Sequence, residues 1–179
     1  MKSSFDIINV KSINDKVEIK KSKYIKDNLC EGMFAIKDIK KGEPITIYFG
    51  DILDSEELIE KYNNNISVMK YIRKGYDFIV DGSCAYKTRN LNLLGVYVND
   101  ILKPKSDSLK DLLNYHKSRL ICNIEVKETS DFPIYIARKD IKRGQELFVH
   151  YGIHYWLLEM GIPPQKLKSY DNKLKKYLS

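Results

Sequence analysis

The chain has 179 residues, of which 43% are hydrophobic and 31% charged, and these values are typical of one globular domain with a sizeable core. Its net charge of +7 lies at the two ends, because residues 1–26 and 161–179 each carry about +4 and the residues between them sum to about −1. No apolar run approaches the roughly 18 residues that a membrane span needs, and the N-terminus lacks a signal-peptide core, so we expect no membrane role.

The first half of the chain predicts short strands around one helix. Alternating or apolar runs predict strands at 16–20, 32–35, 45–49, 68–72 and 76–80. The stretch Asp54-Ser-Glu-Glu predicts the start of a helix ending near Tyr62, because Asp54 or Ser55 can cap it and acidic residues favour a first turn.

The second half predicts strands, an inserted helix and a helical end. Helical spacing predicts a helix over 109–115, and strands follow at 120–126 and 134–138. A short helix is predicted over 155–160 and an amphipathic helix over 166–178. Many short strands with few helices indicate a mostly β fold with minor α.

Two stretches of the chain nearly repeat each other. Residues 35–50 (AIKDIKKGEPITIYFG) align without gaps to residues 137–152 (ARKDIKRGQELFVHYG), with seven identities in sixteen positions. Each copy predicts a strand, a basic turn closed by Gly42 or Gly144, and a second strand. Glycine at the end of such a turn is typical of a positive φ. We therefore expect the copies to form two corners of one β domain.

Three segments, in order, resemble the motifs of SET-domain protein lysine methyltransferases. The first is Gly32-Met-Phe-Ala with Asp38-Ile-x-x-Gly-Glu and Tyr48-x-Gly, and the second is Tyr76-Asp-Phe-Ile-Val-Asp followed by Val96-Tyr-Val-Asn-Asp. The third is Leu147-Phe-Val-His-Tyr-Gly with Tyr155-Trp. Each motif alone is weak, whereas three with sensible spacing are more specific.

The resemblance implies a fold of several small β-sheets with a threaded pseudoknot, a rare exception to unthreaded connections, plus a C-terminal helix. It implies an N-terminal extension over 1–15, a SET domain over 16–156 with an insertion at about 103–120, and a C-terminal helical segment over 157–179. The implied cofactor is S-adenosylmethionine, with a substrate lysine entering from the opposite face. The cysteine-rich segment that follows many such domains is absent from this sequence.

The resemblance also implies roles for particular residues. Tyr151 corresponds to the catalytic tyrosine, and Tyr48, Tyr76 and Val149 to the lysine channel. The implied cofactor-binding set is Glu31, Gly32, Met33, Asn99, Asp100, Tyr151 and Trp156. Packing alternatives stay open: each tyrosine could be a core residue, Asn99 a turn-former, and Trp156 either a stacking partner for adenine or part of the packing under the C-terminal helix.

Four positions depart from the family pattern. Cys30 replaces the first of two glycines, Asp100 replaces the histidine of an Asn-His pair, and His150 replaces the acid before the catalytic tyrosine. Val149 stands where many members carry Phe or Tyr, which favours a roomier pocket and more than one methylation of a lysine.

The implied reaction needs a neutral amine aligned with a sulfonium methyl group. A free lysine has a pKa of about 10.4, and a dry channel beside a positive sulfonium favours loss of its proton. Alignment supplies much of the remaining rate enhancement. The reaction requires no metal, and the sequence shows no cluster of metal ligands.

The implied partner is a protein with a lysine in a basic tail, such as a histone. Two other classes of function remain open: a catalytically inactive SET-like interaction module, and a nucleic-acid binder. The neutral middle of the chain argues against a direct nucleic-acid role. A homodimer is compatible with the sequence.

The three cysteines Cys30, Cys84 and Cys122 are scattered, odd in number and without C-x-x-C spacing. This pattern favours a reducing compartment and hence an intracellular protein, cytoplasmic or nuclear. As a small free-standing domain, the chain resembles the SET domains of large DNA viruses and some microbes. A virus-encoded protein would act in a host cell.

Overall fold

A computed structural model of the chain describes residues 15–25, 30–62, 71–74, 79–84, 94–129 and 132–178. The strands are β1 Val17–Lys21, β2 Glu31–Ala35, β3 Pro44–Ile47, β4 Asp51–Leu53, β5 Ile72–Lys74, β6 Ile79–Asp81, β7 Ile124–Lys127 and β8 Ile134–Ala137. The α-helices are α1 Ser55–Tyr62, α2 Leu109–Lys117, α3 Ile153–Glu159 and α4 Leu167–Leu178. Short 3-10 helices cover Leu94–Tyr97, Ser118–Leu120 and Pro164–Lys166.

The strands form three small antiparallel sheets. Their orders are β1-β2, β3-β8-β7 and β4-β6-β5. In the second sheet, β3 from the first half of the chain pairs with β8 from the second, so this sheet joins the two halves. The small sheets and the C-terminal helix agree with the expected fold class.

The two repeated stretches lie against each other. Ile39 and Ile141, at the same place in each copy, exchange both backbone hydrogen bonds at 2.9 and 2.8 Å. Matching backbone bonds flank this pair: Gly42 N to Ala137 O and Gly144 N to Ala35 O, both 2.7 Å, and Ala137 N to Glu43 O and Ala35 N to Gln145 O, both 2.9 Å. The copies are therefore two corners of one domain, related by a local two-fold arrangement.

The turns of the two copies are closed in the same reciprocal way. Asp38 accepts a hydrogen bond from the Arg143 backbone N–H at 3.0 Å, and Asp140 accepts one from the Lys41 backbone N–H at 2.9 Å. The closing glycines have φ angles of 83° and 84°, as the sequence predicts. Each copy's aspartate thus caps the turn of the other copy.

Two segments distant in sequence cross near the end of the chain. Asn99 forms a parallel bridge with Phe148, and its carbonyl accepts from Val149 N at 3.0 Å. On the other side, Phe148 is bonded to Asn123 and Ile124 at 2.8 and 3.2 Å. The segment that leads to Tyr151 therefore lies between residue 99 and β7, which is the juxtaposition expected of the threaded segments.

A close backbone approach supports this crossing. A Cβ atom at Gly95, in the 3-10 helix, would lie 2.5 Å from the Ile47 carbonyl oxygen of β3. Only glycine allows the helix to approach the strand this closely. This contact places residues 98–100 beside the second sheet.

The main core fills the space between the sheets. Its fully buried members include Met33, Ile45, Val80, Tyr135 and Leu147. A separate cluster of Leu112, Leu157 and Leu174 joins α2, α3 and α4. Among the described helices, none is long and apolar enough to cross a membrane.

The C-terminal helix should owe its attachment largely to one side chain. Leu174 is 4% exposed between Leu112 and Leu157, whereas Leu178, one turn later, is 44% exposed. Leu174→Ala should lower the free energy of unfolding by about 2–4 kcal/mol, because truncation leaves a cavity. Urea denaturation measures this value, and Leu178→Ala, as the matched control, should cost under about 1 kcal/mol. Equal losses in both variants would contradict the packing of α4.

Candidate active site

Tyr151 is held at both ends by the residues that flank Asn99. Its hydroxyl donates to the Val98 carbonyl at 2.7 Å, and its backbone N–H donates to the Asp100 carboxylate at 2.9 Å. The ring is half-buried against the main core. The crossing of the two segments therefore fixes both the position and the direction of this hydroxyl.

The hydroxyl of Tyr151 stays protonated at neutral pH. Burial raises the pKa of Tyr151 well above its ordinary value of 10, and neighbouring Tyr135 and Tyr155 add to this effect. The positive charge of Arg73 acts in the opposite direction but does not outweigh burial. Tyr151 is therefore a neutral hydrogen-bonding group and not a base.

Asp100 gathers the donors around Tyr151. One carboxylate oxygen, Oδ2, accepts from the Tyr115 hydroxyl at 2.5 Å and the Trp156 Nε1 at 3.1 Å, in addition to Tyr151 N. The Tyr115 hydroxyl also accepts from Gly152 N at 3.1 Å. The aspartate that replaces the family's histidine is thus the centre of a buried network, which includes a tyrosine from the inserted helix α2.

Asn99 connects the crossing to the predicted cofactor loop. Its side-chain Nδ2 donates to the Glu31 carbonyl at 2.8 Å, and its Oδ1 lies 3.9 Å from the Cys30 thiol, which donates to it. A Cβ at Gly32 would lie 2.2 Å from Oε1 of Glu146. The space that glycine leaves is therefore taken by the Glu146 carboxylate.

Glu146 is a buried acid beside this loop. It is 4% exposed, and its Oε2 accepts from Lys23 N at 3.0 Å. Its Oε1 is buried with no hydrogen-bond partner among the described residues. Met33 lies in the core with no exposed surface, so any contact with a cofactor would come from its backbone. An unused acceptor suited to a cationic N–H donor therefore lies beside the loop.

Tyr48, one of the predicted channel residues, packs against the buried ring of Tyr135. Tyr48 lies 6.3 Å from Tyr135 at an interplanar angle of 78°, and its hydroxyl donates to the Tyr71 carbonyl at 2.6 Å. Val149 is 3% exposed in the same core cluster. Tyr76, the other predicted channel residue, lies outside the described residues.

Trp156 belongs to an aromatic group around Tyr151. Its ring is stacked on Tyr151 at 6.1 Å and 19°, and it meets Tyr155 edge-on at 4.9 Å. The Lys103 ammonium lies 5.3 Å from the centroid of the Trp156 ring. In the free protein Trp156 therefore packs beside Tyr151, and stacking on adenine stays a prediction.

His150 packs on the inserted helix. Its ring is stacked on Tyr115 at 4.3 Å and 25°, and burial lowers its pKa below the ordinary 6.5. Burial also lowers the pKa of His116, which faces His150 at 6.3 Å. Both histidines therefore favour the neutral form in the folded protein.

This burial predicts a loss of stability in mild acid. Below about pH 6.5 the unfolded chain binds protons at His116 and His150 that the folded chain resists, so the free energy of unfolding falls as the pH falls. Thermal unfolding between pH 7 and 5 should show this slope, and His150→Gln should reduce it. A His116→Gln, His150→Gln double variant should reduce it further, and an unchanged slope there would contradict the assignment.

Three residues of the site are missing from the sequence prediction. Tyr115 lies in a helix whose spacing was recognised, but nothing local marks its hydroxyl as a partner of Asp100. Tyr135 is one of thirteen tyrosines and stands in an ordinary strand pattern. Glu146 lies beside the closing motif, and the available signal was an acidic residue next to the apolar run 147–149.

The small sheets and the crossing at Asn99 and Tyr151 define a SET-type domain. A family model described as the SET domain matches residues 30–152, which is well over half of the chain. The chain therefore belongs to the SET-domain family, whose methyltransferases use S-adenosylmethionine. No curated protein sequence matches the chain significantly.

Solved structures share the fold at low sequence identity. Polycomb repressive complex 2 of Chaetomium thermophilum, autoinhibited and bound to S-adenosylmethionine, matches 84% of this chain with a TM-score of 0.53 and 22% identity. The same complex bound to GSK126 matches 82% with a TM-score of 0.52 and 23% identity. This chain covers 17% of either matched Polycomb chain. The methyltransferase domain of human PR domain-containing protein 2 gives a TM-score of 0.49 at 22% identity, over 76% of this chain and 77% of that one.

Proposed function

We propose that this protein is an S-adenosylmethionine-dependent protein-lysine N-methyltransferase. One observation carries the proposal beyond family membership: the neutral hydroxyl of Tyr151 donates to the Val98 carbonyl, and Asp100 holds the backbone N–H of the same residue. Both contacts lie beside the core that contains Tyr48 and Tyr135. A hydrogen-bonding group fixed in this way can align two reactants without reorganising, which is a large part of enzymatic rate enhancement.

The chain's residues suit the cofactor. The backbone of Glu31, Gly32 and Met33 would hold it together with Asn99, and the unpartnered Oε1 of Glu146 suits the cationic amino group at its amino-acid end. Asp100 and Trp156 complete the predicted set by bordering Tyr151. When bound, S-adenosylmethionine supplies a methyl group activated by the positive sulfonium.

Tyr48 and Tyr135 would favour the neutral form of the substrate amine and orient it. Burial raises the pKa of Tyr48 and of Tyr135, so both hydroxyls remain neutral near pH 7. Neutral phenols in a dry site do not stabilise an ammonium as a carboxylate would, which favours release of the lysine proton to water. Their oxygens can then accept hydrogen bonds from the neutral amine and orient its lone pair.

The substrate we propose is a lysine in a basic protein tail, with histones as the first candidates. The small side chain of Val149 stands where many family members carry Phe or Tyr, and this supports a pocket that accepts more than one methyl group. None of the three cysteines forms a disulfide, which supports the proposed intracellular location.

A direct assay tests the proposal. Isothermal calorimetry should show binding of S-adenosylmethionine, and incubation with core histones should give lysine methylation that mass spectrometry counts as mono-, di- or trimethyl product. Absence of cofactor binding would contradict the proposal. Binding without transfer to any histone would favour the inactive interaction module, to which the departures at Asp100 and His150 also point.

A further inference from the structure

The guanidinium of Arg73 lies between the ring of Tyr48, a predicted channel residue, and the ring of Tyr135. Its central carbon is 5.3 Å from the ring centroid of Tyr48 and 5.3 Å from that of Tyr135. A cation within about 6 Å of an aromatic face is attracted by the ring quadrupole, and more strongly where water is excluded. Both rings are buried, at 6% and 1% exposure, so two desolvated faces hold this one charge.

The charge is held by the rings and not by an acid. Within the described ranges, Arg73 has no ion pair, whereas the neighbouring cation Lys61 pairs with Asp81 at 2.7 Å and Asp51 at 3.0 Å. Among the described residues no carboxylate pairs with this half-buried cation, so cation–π attraction to the two ring faces is the interaction that holds it, and this attraction is weaker than that of a buried carboxylate. The Tyr135 hydroxyl is buried and also lacks a hydrogen-bond partner among the described residues, so it can accept from an added N–H donor.

Tyr71, the residue that precedes β5, also contacts Tyr48. The Tyr48 hydroxyl donates to the Tyr71 carbonyl, which accepts from Gly82 N as well. Tyr71 therefore contacts the hydroxyl of Tyr48, and Arg73 contacts the face of the same ring. Tyr151 packs against this core cluster, and the charge of Arg73 is close enough to oppose the rise in its pKa.

We propose that the Tyr48–Tyr135 pair is a site for a cationic side chain, and that Arg73 occupies it as a built-in competitor of the substrate lysine. The competitor role rests on the proposed function. A guanidinium keeps its proton at any physiological pH, so Arg73 has no lone pair to accept a methyl group and blocks the site without being consumed. A substrate lysine enters only when residues 71–73 withdraw from Tyr48.

The cation site can be tested without cofactor or substrate. n-Butylammonium chloride is titrated into the protein, and binding is followed by NMR through the ring resonances of Tyr48 and Tyr135. Arg73→Gln should bind this probe at least about fivefold more tightly than the wild type, because the competing cation is gone. Arg143→Gln removes an exposed arginine and should match the wild type. Equal affinity in Arg73→Gln and the wild type would overturn the cation site.

Arg73→Lys tests the competitor role. A lysine in this place should be methylated by its own chain: the bond from Nζ to the methyl carbon forms, the bond from sulfur to that carbon breaks, and the proton leaves to water. Mass spectrometry should find methyl on residue 73, at a rate independent of protein concentration. Methylation of histones without methylation of residue 73 would show that Arg73 lies off the substrate path. Absence of all methyl transfer would contradict the proposed function, while the probe titration still decides the cation site.

Discussion

Asp100→Ala should destabilise the protein by roughly 3–5 kcal/mol. The substitution leaves three donors, Tyr115 Oη, Tyr151 N and Trp156 Nε1, without the acceptor they share, and each buried group left unpaired costs about 1–3 kcal/mol. Some of these donors will recover water, which keeps the sum below the maximum. For a chain of this length the loss corresponds to a fall of about 10 °C in the melting temperature.

The chain contains a matched control for this prediction. Asp107 also accepts a hydrogen bond from a tyrosine, Tyr170, at 2.5 Å, but the pair is exposed. Asp107→Ala should therefore cost under about 1 kcal/mol, because water replaces the lost acceptor. Urea denaturation of both variants compares a buried aspartate that accepts from three donors with an exposed aspartate that accepts from a tyrosine. Similar losses for the two would show that the network around Asp100 is not buried as described.

The variant Tyr115→Phe distinguishes the loss of the hydrogen-bonded network from the loss of the Asp100 carboxylate alone. Tyr115→Phe keeps the ring that stacks on His150 but removes the hydroxyl between Asp100 and Gly152 N. In a double-mutant cycle with Asp100→Ala, the two losses should be less than additive by about 1–3 kcal/mol. Additive losses would mean that the two residues do not act on each other.

Local chemistry explains which parts of the fold were predictable. Asp54 caps α1 as expected, accepting from Glu56 N and Glu57 N at 2.8 and 2.9 Å, because a cap depends on neighbours within one turn. The turns at Gly42 and Gly144 were likewise set by residues close to them in the sequence. The fold class followed from such local units together with the order of the motifs.

Long-range contacts explain what the sequence did not predict. Tyr115 meets Asp100 across fifteen positions because α2 packs through Leu112 on α3. Arg73 meets Tyr48 and Tyr135 through contact between two different sheets, since Arg73 lies in β5 and Tyr135 in β8, and no local pattern specifies that contact. The inserted helix therefore serves the site, although its sequence shows only the apolar spacing of a packed helix.

The contacts of Asp38 and Asp140 in the repeat could be predicted from the sequence only in part. The sequence showed that Asp38 and Asp140 occupy equivalent positions, but not that each caps the other copy's turn. Similarity between two segments indicates similar local structure. Their contact with each other depends on how β3 and β8 pair, and the structure alone provides that register.

Tyr151→Phe should lower kcat for methyl transfer by about 100-fold or more, with the affinity for S-adenosylmethionine changed less than about threefold. The substitution removes only the hydroxyl that donates to Val98 O, while the backbone bond to Asp100 and the stack on Trp156 remain. Loss of one fixed polar group at a reacting centre typically costs a factor of 10² to 10³. Radiolabelled methyl transfer gives kcat, and calorimetry gives the cofactor affinity.

Tyr155→Phe distinguishes this role from general packing. Its ring lies 4.8 Å from that of Tyr151, so the variant removes a hydroxyl from the same aromatic group without touching the Tyr151–Val98 bond. A loss under about tenfold is expected for it. Comparable losses in both variants would assign the effect to the aromatic group as a whole, and undiminished turnover in Tyr151→Phe would show that methyl transfer does not depend on this hydroxyl. Because the phenol is neutral at physiological pH, the loss in Tyr151→Phe should be the same at pH 7 and pH 9. A loss that appeared only at high pH would instead indicate that the phenolate takes the lysine proton.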